Sequence, residues 1–321
     1  MNILVMGGTR LIGEATVREL LRCGHTVTVA NRGTRRDVPW ASRARWVIAD
    51  RDDAQSLDSL AKLGADLVVD FSGYLPEQTA TLLEALNPAT PVLYCSSGSV
   101  YQPVAQLPWQ ESTPYGPWSL WGAYARAKLN SELLLRQAAD EGRTVLVVRL
   151  PYALGPRNYA PREEFVLNRL LDKATIFVPG DGKALQQFVT AEQVAWSVAR
   201  LAEKEQKPGF RAYNIADPIA LTSLEGFIAL AAEVSDNEPR IVYVPGGPTG
   251  TDGPFDAADC IFPFPNENYV LDLRAADRAG VLAQPRLLTD TLQSALLALT
   301  SEPERRIWRR TAAEERQSAR T

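Results

Sequence analysis

The sequence contains one histidine, His25, and three cysteines, Cys23, Cys95 and Cys260, in 321 residues. Triads with a histidine base and most zinc sites need these residue types in groups, so their scarcity argues against both and predicts no metal site. No apolar run approaches the roughly 20 residues that span a bilayer, and the first apolar run leads straight into glycines, unlike a signal peptide. We therefore expect a cytoplasmic protein with no membrane partner.

An excess of basic residues is also missing. Lysine and arginine number 34 against 38 aspartates and glutamates, for a formal net charge of -4. Such a balance offers no electrostatic reason to bind nucleic acid. The length and the 45% hydrophobic content suit a well-packed globular protein. A small-molecule substrate is therefore expected, and nucleic acid is not.

Apolar runs alternate with helical patterns along the first half of the chain. This alternation predicts an α/β fold with a Rossmann-type doubly wound parallel sheet, which binds ligands at the carboxyl ends of its strands. Residues 1–160 are expected to form the dinucleotide-binding domain, with later elements near 185–215 returning to it. Residues 161–300 are expected to form most of a smaller C-terminal substrate-binding lobe, and the charged residues 301–321 a solvated tail.

A glycine-rich segment, Gly7-Gly8-Thr9-Arg10-Leu11-Ile12-Gly13, joins the first predicted strand to the first predicted helix. Glycine lets the backbone turn tightly and approach a pyrophosphate, and the start of a helix offers free N–H groups. The spacing of the glycines alone is weak evidence for a dinucleotide site, but the position of the segment between a strand and a helix makes that evidence stronger. These seven residues are therefore predicted to bind the diphosphate of a dinucleotide.

The second predicted strand ends in Asn31-Arg32, without a carboxylate. A carboxylate at this position would bind the ribose 2′-hydroxyl of NAD, whereas a guanidinium suits the 2′-phosphate of NADP. Asn31 and Arg32 are therefore expected to bind the cofactor. NADP is favoured, and NAD is the alternative.

Tyr124 and Lys128 lie four residues apart at the start of a predicted helix, so both project from one face. A free phenol, with a pKa of about 10, is a poor proton carrier at neutral pH, and a neighbouring ammonium favours its ionised form. Ser96, Ser97 and Ser99 follow the fifth predicted strand, where a hydroxyl can hold a substrate oxygen. Together with the glycine loop, this set indicates a nicotinamide-dependent oxidoreductase.

These three features resemble the short-chain dehydrogenase/reductase superfamily, and most closely its extended branch, the NAD-dependent epimerase/dehydratase family. The resemblance covers most of the chain and implies that Ser97, Tyr124 and Lys128 are catalytic, with Tyr124 as the general acid/base. Lys128 would also orient the nicotinamide ribose. Many members form dimers, and a homodimer stays open here. Further cofactor contacts implied by the resemblance are Asp50, Arg51, Phe71, Ser72, Gly73, Leu150 and Tyr152.

Departures from the family pattern bear on the substrate. Tyr152 and Gln186 stand where sugar-nucleotide members often carry Asn and Arg, and Gly98-Ser99 replaces the acidic pair of the sugar 4,6-dehydratases. Both changes weaken the expectation of a sugar-nucleotide substrate. The aromatic residues near the crevice suggest a wall for an apolar or planar substrate, with ordinary packing as the alternative. The predicted substrate contacts are Tyr74, Ser99, Trp121, Tyr152 and Gln187.

The expected reaction is hydride transfer at a carbonyl or carbinol carbon, with net reduction by NADPH favoured. An epimerase that retains NAD(P) and runs the transfer forward and back is the alternative. Arg10 replaces the middle glycine of the usual loop, and the resulting loop is similar to that of the chloroplast stem-loop-binding protein subgroup. RNA binding is therefore the alternative from another class, although the acidic charge balance weighs against it.

Overall fold

Strands and helices alternate through most of the chain, as the sequence pattern predicts. The computed structural model describes residues 1–103, 106–116, 118–156, 158, 160–245, 247, 249, 256, 259–301 and 308–319. The strands are β1 (Asn2–Met6), β2 (Thr26–Asn31), β3 (Arg45–Ile48), β4 (Leu67–Asp70), β5 (Val92–Ser97), β6 (Thr144–Leu150), β7 (Tyr152–Leu154), β8 (Thr175–Pro179), β9 (Leu185–Thr190), β10 (Gly209–Asn214), β11 (Leu221–Ser223) and β12 (Arg240–Val244). The α-helices are α1 (Leu11–Arg22), α2 (Ala54–Leu57), α3 (Pro76–Ala85), α4 (Gly122–Asp140), α5 (Arg162–Leu171), α6 (Ala191–Glu203), α7 (Leu224–Ser235), α8 (Arg274–Arg278), α9 (Leu288–Ser301) and α10 (Ala312–Ser318).

Seven parallel strands form the central sheet, in the order β10-β6-β5-β4-β1-β2-β3. Every residue of β4 and β6 is buried, as expected for apolar strands covered by helices on both faces. The chain runs outward from β1 in both directions, so a crevice opens at the carboxyl ends of β1 and β4. The predicted Rossmann-type doubly wound sheet is confirmed.

Each face of the sheet carries its own apolar core. On one face, Val17 and Leu20 of α1 pack with Val194 and Val198 of α6. On the other face, the core includes Leu82 of α3 and Leu135 of α4, together with small and branched residues of the strands. These helices cover the sheet and leave the strand ends accessible. None of the described helices is long and apolar enough to cross a bilayer.

A smaller set of elements lies over the strand ends. It contains the sheet β11-β9-β7, the pair β12-β8 and the helices α5, α7 and α9. Its core is rich in aromatic side chains, including Phe188, Phe227 and Phe264, whose ring centroids lie 5.1–5.3 Å apart. The same core includes Tyr152 and Tyr269. Packing in this region therefore reaches the crevice directly.

The described part of the C-terminal segment, residues 308–319, is docked on this region, so the prediction of a solvated tail is wrong there. Glu314 of α10 is fully buried and forms an ion pair with the equally buried Arg169 of α5. The guanidinium carbon of Arg169 also lies 4.6 Å from the ring centre of Trp308. High Arg and Glu content suggested exposure, but these two charges neutralise each other inside the protein.

Candidate functional site

A cleft of about 680 Å³ opens at the carboxyl ends of the central strands, and it brings together most of the predicted site residues. It also contains the tyrosine, lysine and serine that are predicted to be catalytic. Gly8, Gly73 and Gln187 do not line it. The predicted residues that do are Gly7, Thr9, Arg10, Leu11, Ile12, Gly13, Asn31, Arg32, Asp50, Arg51, Phe71, Ser72, Tyr74, Ser97, Ser99, Trp121, Tyr124, Lys128, Leu150 and Tyr152.

The glycine loop brings the start of α1 to the cleft. Gly7 has a φ of +83°, a conformation that favours glycine, and a Cβ on Gly13 would collide with the carbonyl oxygen of Gly7. The N-cap residue Arg10 makes no capping hydrogen bond with its side chain. The first N–H groups of a twelve-residue helix therefore face the cleft, where they suit an anion such as a diphosphate.

Gly8 acts through packing, since it lies outside the cleft lining. A Cβ at this position would be 2.8 Å from a methyl of Val17 and 3.2 Å from a methyl of Val29. Its lack of a side chain thus lets α1 approach β1 and β2 closely. The predicted ligand contact of Gly8 stays a prediction beside this packing role.

The end of β2 carries a buried side-chain donor, the Nδ2 of Asn31. The Oδ1 of Asn31 accepts a hydrogen bond from the N–H of Gly33 at 2.8 Å, whereas its Nδ2 is buried without a partner among the described residues. Arg32 and Arg35 are exposed and line the cleft beside it. Buried polar atoms normally have partners, so this one fits a ligand that carries acceptor oxygens, such as a dinucleotide.

Arg51 links the ends of β3 and β4, and most hydrogen-bond donors of its guanidinium are bound by other protein groups. Its guanidinium forms an ion pair with Asp70 and donates to the Oγ of Ser72 at 2.9 Å and to the carbonyl of Gln78 at 3.1 Å. Burial would raise the pKa of Asp70, but the charge and hydrogen bonds of Arg51 outweigh it and lower that pKa. Arg51 therefore shapes the cleft wall, and little of it is free for a cofactor.

Gly73 belongs to the same wall but does not reach the cleft. Its N–H donates to Asp70 at 3.1 Å, and a Cβ would lie 2.8 Å from both the carboxylate of Asp70 and the ring of Tyr94. Its carbonyl accepts from the Nζ of Lys128. The backbone groups of Gly73 are thus bound by neighbouring side chains, and its predicted cofactor contact stays a prediction.

Lys128 is 4% exposed on α4, and protein acceptors surround its ammonium group. Its Nζ donates to the carbonyl of Gly73 at 2.9 Å, the carbonyl of Cys95 at 2.9 Å and the hydroxyl of Tyr94 at 3.1 Å. An ammonium has three protons, so these contacts use all of them. A nicotinamide ribose would have to replace one of these partners, and the predicted ribose contact stays a prediction.

Ser97 and Tyr124 differ in exposure although they line the same cleft. Tyr124 is 42% exposed, which leaves its phenol accessible to substrate and solvent. Ser97 is half-buried at the end of β5, and its Oγ accepts from the N–H of Ser99 at 3.2 Å. The Oγ also lies 3.4 Å from the hydroxyl of Tyr269. Both side chains therefore lie at the surface of the same cleft.

Aromatic rings form the opposite wall. The ring centroid of Tyr152 lies 5.9 Å from that of Trp121 and 5.3 Å from that of Tyr269. Two hydroxyls on this side, those of Tyr152 and Ser99, are buried without partners among the described residues. Burial raises the pKa of Tyr152 well above its ordinary value, so its phenol stays protonated. The wall therefore offers an aromatic, largely apolar surface made of tilted rings, with hydroxyls that are left for a ligand by the residues described.

Gln187 lies outside the lining of the cleft, and its predicted substrate contact stays a prediction. It is 4% exposed in β9, and its Oε1 accepts from the N–H of Leu271 at 2.8 Å. Its amide holds the segment that follows β12. The neighbouring Tyr269 does line the cleft, but no local motif marks it in the sequence, because it follows Ser97 by 172 residues.

No group of three His, Cys, Asp or Glu side chains that could hold a metal ion occurs among the described residues.

Comparison with known proteins connects this cleft to a family. The model of the NAD dependent epimerase/dehydratase family matches residues 3–216 of the 321. A curated relative, the chloroplast stem-loop binding protein of 41 kDa b from Arabidopsis thaliana, is 31% identical over 256 residues, which cover 75% of this chain. The matched region spans only 65% of that relative's length.

Solved structures show the same fold. A UDP-glucose 4-epimerase from Thermotoga maritima matches with a TM-score of 0.74 and 20% identity, over 94% of this chain and 100% of the other. A dTDP-glucose 4,6-dehydratase from Bacillus anthracis, in complex with NAD, matches with a TM-score of 0.76 and 18% identity. The match covers 95% of this chain and 98% of the other. With the family model spanning the glycine loop, the serine run and the Tyr/Lys helix, the chain belongs to the NAD-dependent epimerase/dehydratase family of enzymes.

Proposed function

We propose that the protein is an NADP-dependent oxidoreductase that reduces the carbonyl group of a small molecule. The observation that carries the proposal is the shared cleft, which joins the uncapped start of α1 to Ser97, Tyr124 and Lys128. A dinucleotide with its diphosphate on α1 would extend along this cleft towards those side chains. The Nδ2 of Asn31, which is buried and has no partner in the part of the chain that the structure describes, supports the same placement.

The chain's own residues would bind the carbonyl oxygen and move one proton. When bound, the nicotinamide would supply the hydride that reduces the carbonyl carbon. Ser97 donates a hydrogen bond to the carbonyl oxygen, and Tyr124 transfers its phenolic proton to it, which yields an alcohol. The positive charge of Lys128, four residues along α4, stabilises the tyrosinate until solvent returns the proton. The 42% exposure of Tyr124 supports that return.

The preference for NADP rests on the end of β2. Arg32 and Arg35 line the cleft there, and β2 ends in the uncharged Asn31. A guanidinium binds a 2′-phosphate by charge-assisted hydrogen bonds. Solved structures of the same fold carry NAD, including a UDP-glucose 4-epimerase from Bifidobacterium longum in complex with NAD+ and UDP. NAD is therefore the alternative that a binding comparison must test.

The test uses purified protein and needs no knowledge of the natural substrate. Binding of NADPH and NADH is titrated by fluorescence, and a panel of carbonyl compounds, including the planar diketone phenanthrenequinone, is tested for loss of NADPH absorbance. We expect tighter binding of NADPH and turnover of at least one planar carbonyl. Absence of binding by both dinucleotides would refute the proposed function.

A sugar-nucleotide epimerase is the second candidate, because solved epimerases share the fold over nearly the whole chain. Such an enzyme oxidises and re-reduces one bound substrate and needs a cofactor that stays bound. Mass analysis of the protein as purified separates the two: a tightly retained oxidised dinucleotide favours epimerisation, whereas freely exchanging NADPH favours net reduction.

RNA binding is the candidate from another class, favoured by the name of the Arabidopsis relative. The chain's formal net charge of -4 gives little attraction for a polyanion. A shift assay with a stem-loop RNA decides the matter. Salt-sensitive RNA binding, together with no affinity for either dinucleotide, would establish this function in place of the oxidoreductase.

A further inference from the structure

Tyr269 reaches the cleft from a segment that is held firmly in place. Its N–H donates to the carbonyl of Leu185 at 2.8 Å, and its carbonyl accepts from the N–H of Gln187 at 3.2 Å. Two residues further on, the N–H of Leu271 donates to the side chain of Gln187 at 2.8 Å. The backbone of Tyr269 is therefore fixed to β9 through both its N–H and its carbonyl group, and this fixes where its phenol lies.

The phenol of Tyr269 fills a space that the glycine at position 98 leaves open. A Cβ on Gly98 would lie 2.7 Å from the Tyr269 hydroxyl and 2.9 Å from a methyl of Leu271. Any larger residue at position 98 would push the phenol away from the neighbouring Ser97. The absence of a side chain on Gly98 therefore makes room for the Tyr269 phenol, whose hydroxyl lies beside that of Ser97.

The hydrogen-bond directions follow from the acceptors. The Tyr269 hydroxyl lies 3.1 Å from the carbonyl oxygen of Leu150, which can only accept, so the phenolic proton points there. The N–H of Ser99 donates to the Oγ of Ser97. The remaining contact, 3.4 Å between Ser97 Oγ and the Tyr269 oxygen, is then donated by Ser97.

This last contact is longer than an ordinary O–H···O bond of about 2.5–3.0 Å. Ser97 has a single proton, so this contact is lost when Ser97 donates to a substrate oxygen. Either oxygen of the contact can be the donor, so the Tyr269 hydroxyl can then donate to Ser97 Oγ instead. Burial raises the pKa of Tyr269 above its ordinary value, and the residue is 3% exposed against 42% for Tyr124. Tyr269 thus keeps its proton, while the accessible Tyr124 is suited to exchange one.

We propose that Tyr269 is a positioning residue: while Ser97 donates its proton to the substrate oxygen, the Tyr269 hydroxyl donates to Ser97 Oγ and holds that side chain in place. This inference rests on the proposed function, in which Ser97 binds the substrate oxygen. Tyr269 acts through Ser97, so its effect on turnover should depend on the presence of the Ser97 hydroxyl.

A double-mutant cycle tests this dependence. Turnover of phenanthrenequinone with NADPH is measured for the unmodified protein, Tyr269→Phe, Ser97→Ala and the double variant. One ordinary hydrogen bond corresponds to a loss in kcat of about 3- to 10-fold for Tyr269→Phe, and none is expected in the Ser97→Ala background. The NADPH dissociation constant should not change. Tyr243→Phe, which alters an exposed phenol of β12, is the matched control and should keep full turnover.

Equal losses from Tyr269→Phe in both backgrounds, or no loss in either, would overturn the inference. Thermal unfolding of the cofactor-free proteins gives a second measurement that does not require turnover. If the two hydroxyls interact, the double variant loses less in Tm than the sum of the single losses; additive losses would contradict the contact. A protein that neither binds dinucleotides nor reduces the diketone, yet shows this coupling in Tm, would refute the proposed function while retaining the Ser97–Tyr269 contact.

Discussion

The two walls of the cleft are built in different ways. One wall consists of strand ends and the start of α1, and each of its contributions is a short continuous stretch of sequence such as the glycine loop. The other wall contains Trp121, Tyr152, Arg162 and Tyr269. These residues come from separate segments of the sequence that the packing of the fold brings together. Substitutions in the first wall should therefore change dinucleotide binding, and substitutions in the second should change stability and the carbonyl reaction.

Tyr124→Phe tests the chemistry at the junction of the walls and should have the largest effect. It removes the transferable proton and little else, so kcat for a carbonyl substrate should fall by about 10²- to 10⁴-fold, while NADPH binding stays the same. Steady-state kinetics and fluorescence titration measure the two quantities, with Tyr243→Phe as the control. A loss of only a few-fold would mean that another group donates the proton.

Glu314→Gln tests the support of the second wall. The substitution leaves Arg169 buried without its charge partner, and breaking such a pair costs about 3–5 kcal/mol. Denaturant unfolding should show this loss, whereas Glu315→Gln, at the adjacent exposed position, should change the free energy of unfolding by less than about 0.5 kcal/mol. Equal stability of the two variants would mean that α10 does not stabilise α5.

Glu163→Gln tests the same wall through the pH dependence of the free energy of unfolding. Glu163, the second residue of α5, accepts a hydrogen bond from the N–H of Gly155. It is buried, and burial raises its pKa from 4.5 to about 7. Between these values the folded protein binds more protons than the unfolded chain, so the free energy of unfolding falls as pH rises. Since a tenfold change in proton affinity is worth about 1.4 kcal/mol, the fall is about 3 kcal/mol, and the stabilisation is complete below pH 4.5.

The variant should lack this component of the pH dependence. Denaturant unfolding of both proteins across the range gives the comparison, because the other carboxyl groups are common to them. Parallel stability profiles for the variant and the unmodified protein would show that Glu163 ionises normally in the folded state.

Arg32→Ala tests the first wall and has the smallest expected effect. Loss of a hydrogen bond to a charged phosphate costs about 1.5–3 kcal/mol, so the NADPH dissociation constant should rise by about 10- to 100-fold. NADH binding should stay the same. Arg45→Ala, at an exposed arginine outside the cleft lining, is the control. A preference for NADH that Arg32→Ala leaves unchanged would contradict the assignment of NADP.

The sequence predicts the first wall well because its signals are local. Buried strands appear as apolar runs, and the loop is recognisable from its place between β1 and α1. Local patterns do not show which polar groups will meet. Gln187 binds Leu271, 84 residues later, and Arg169 binds Glu314, 145 residues later. The solvated tail was therefore wrongly predicted for residues 308–319, the contact between Gln187 and Leu271 was not foreseen, and Tyr269 was not identified.

A crystal structure of the protein with NADPH tests the central claim most directly. We expect the diphosphate at the first turn of α1, the 2′-phosphate beside Arg32 and the nicotinamide ring within contact distance of Ser97 and Tyr124. A dinucleotide bound elsewhere, or a nicotinamide ring far from both hydroxyls, would contradict the claim that this cleft performs hydride transfer.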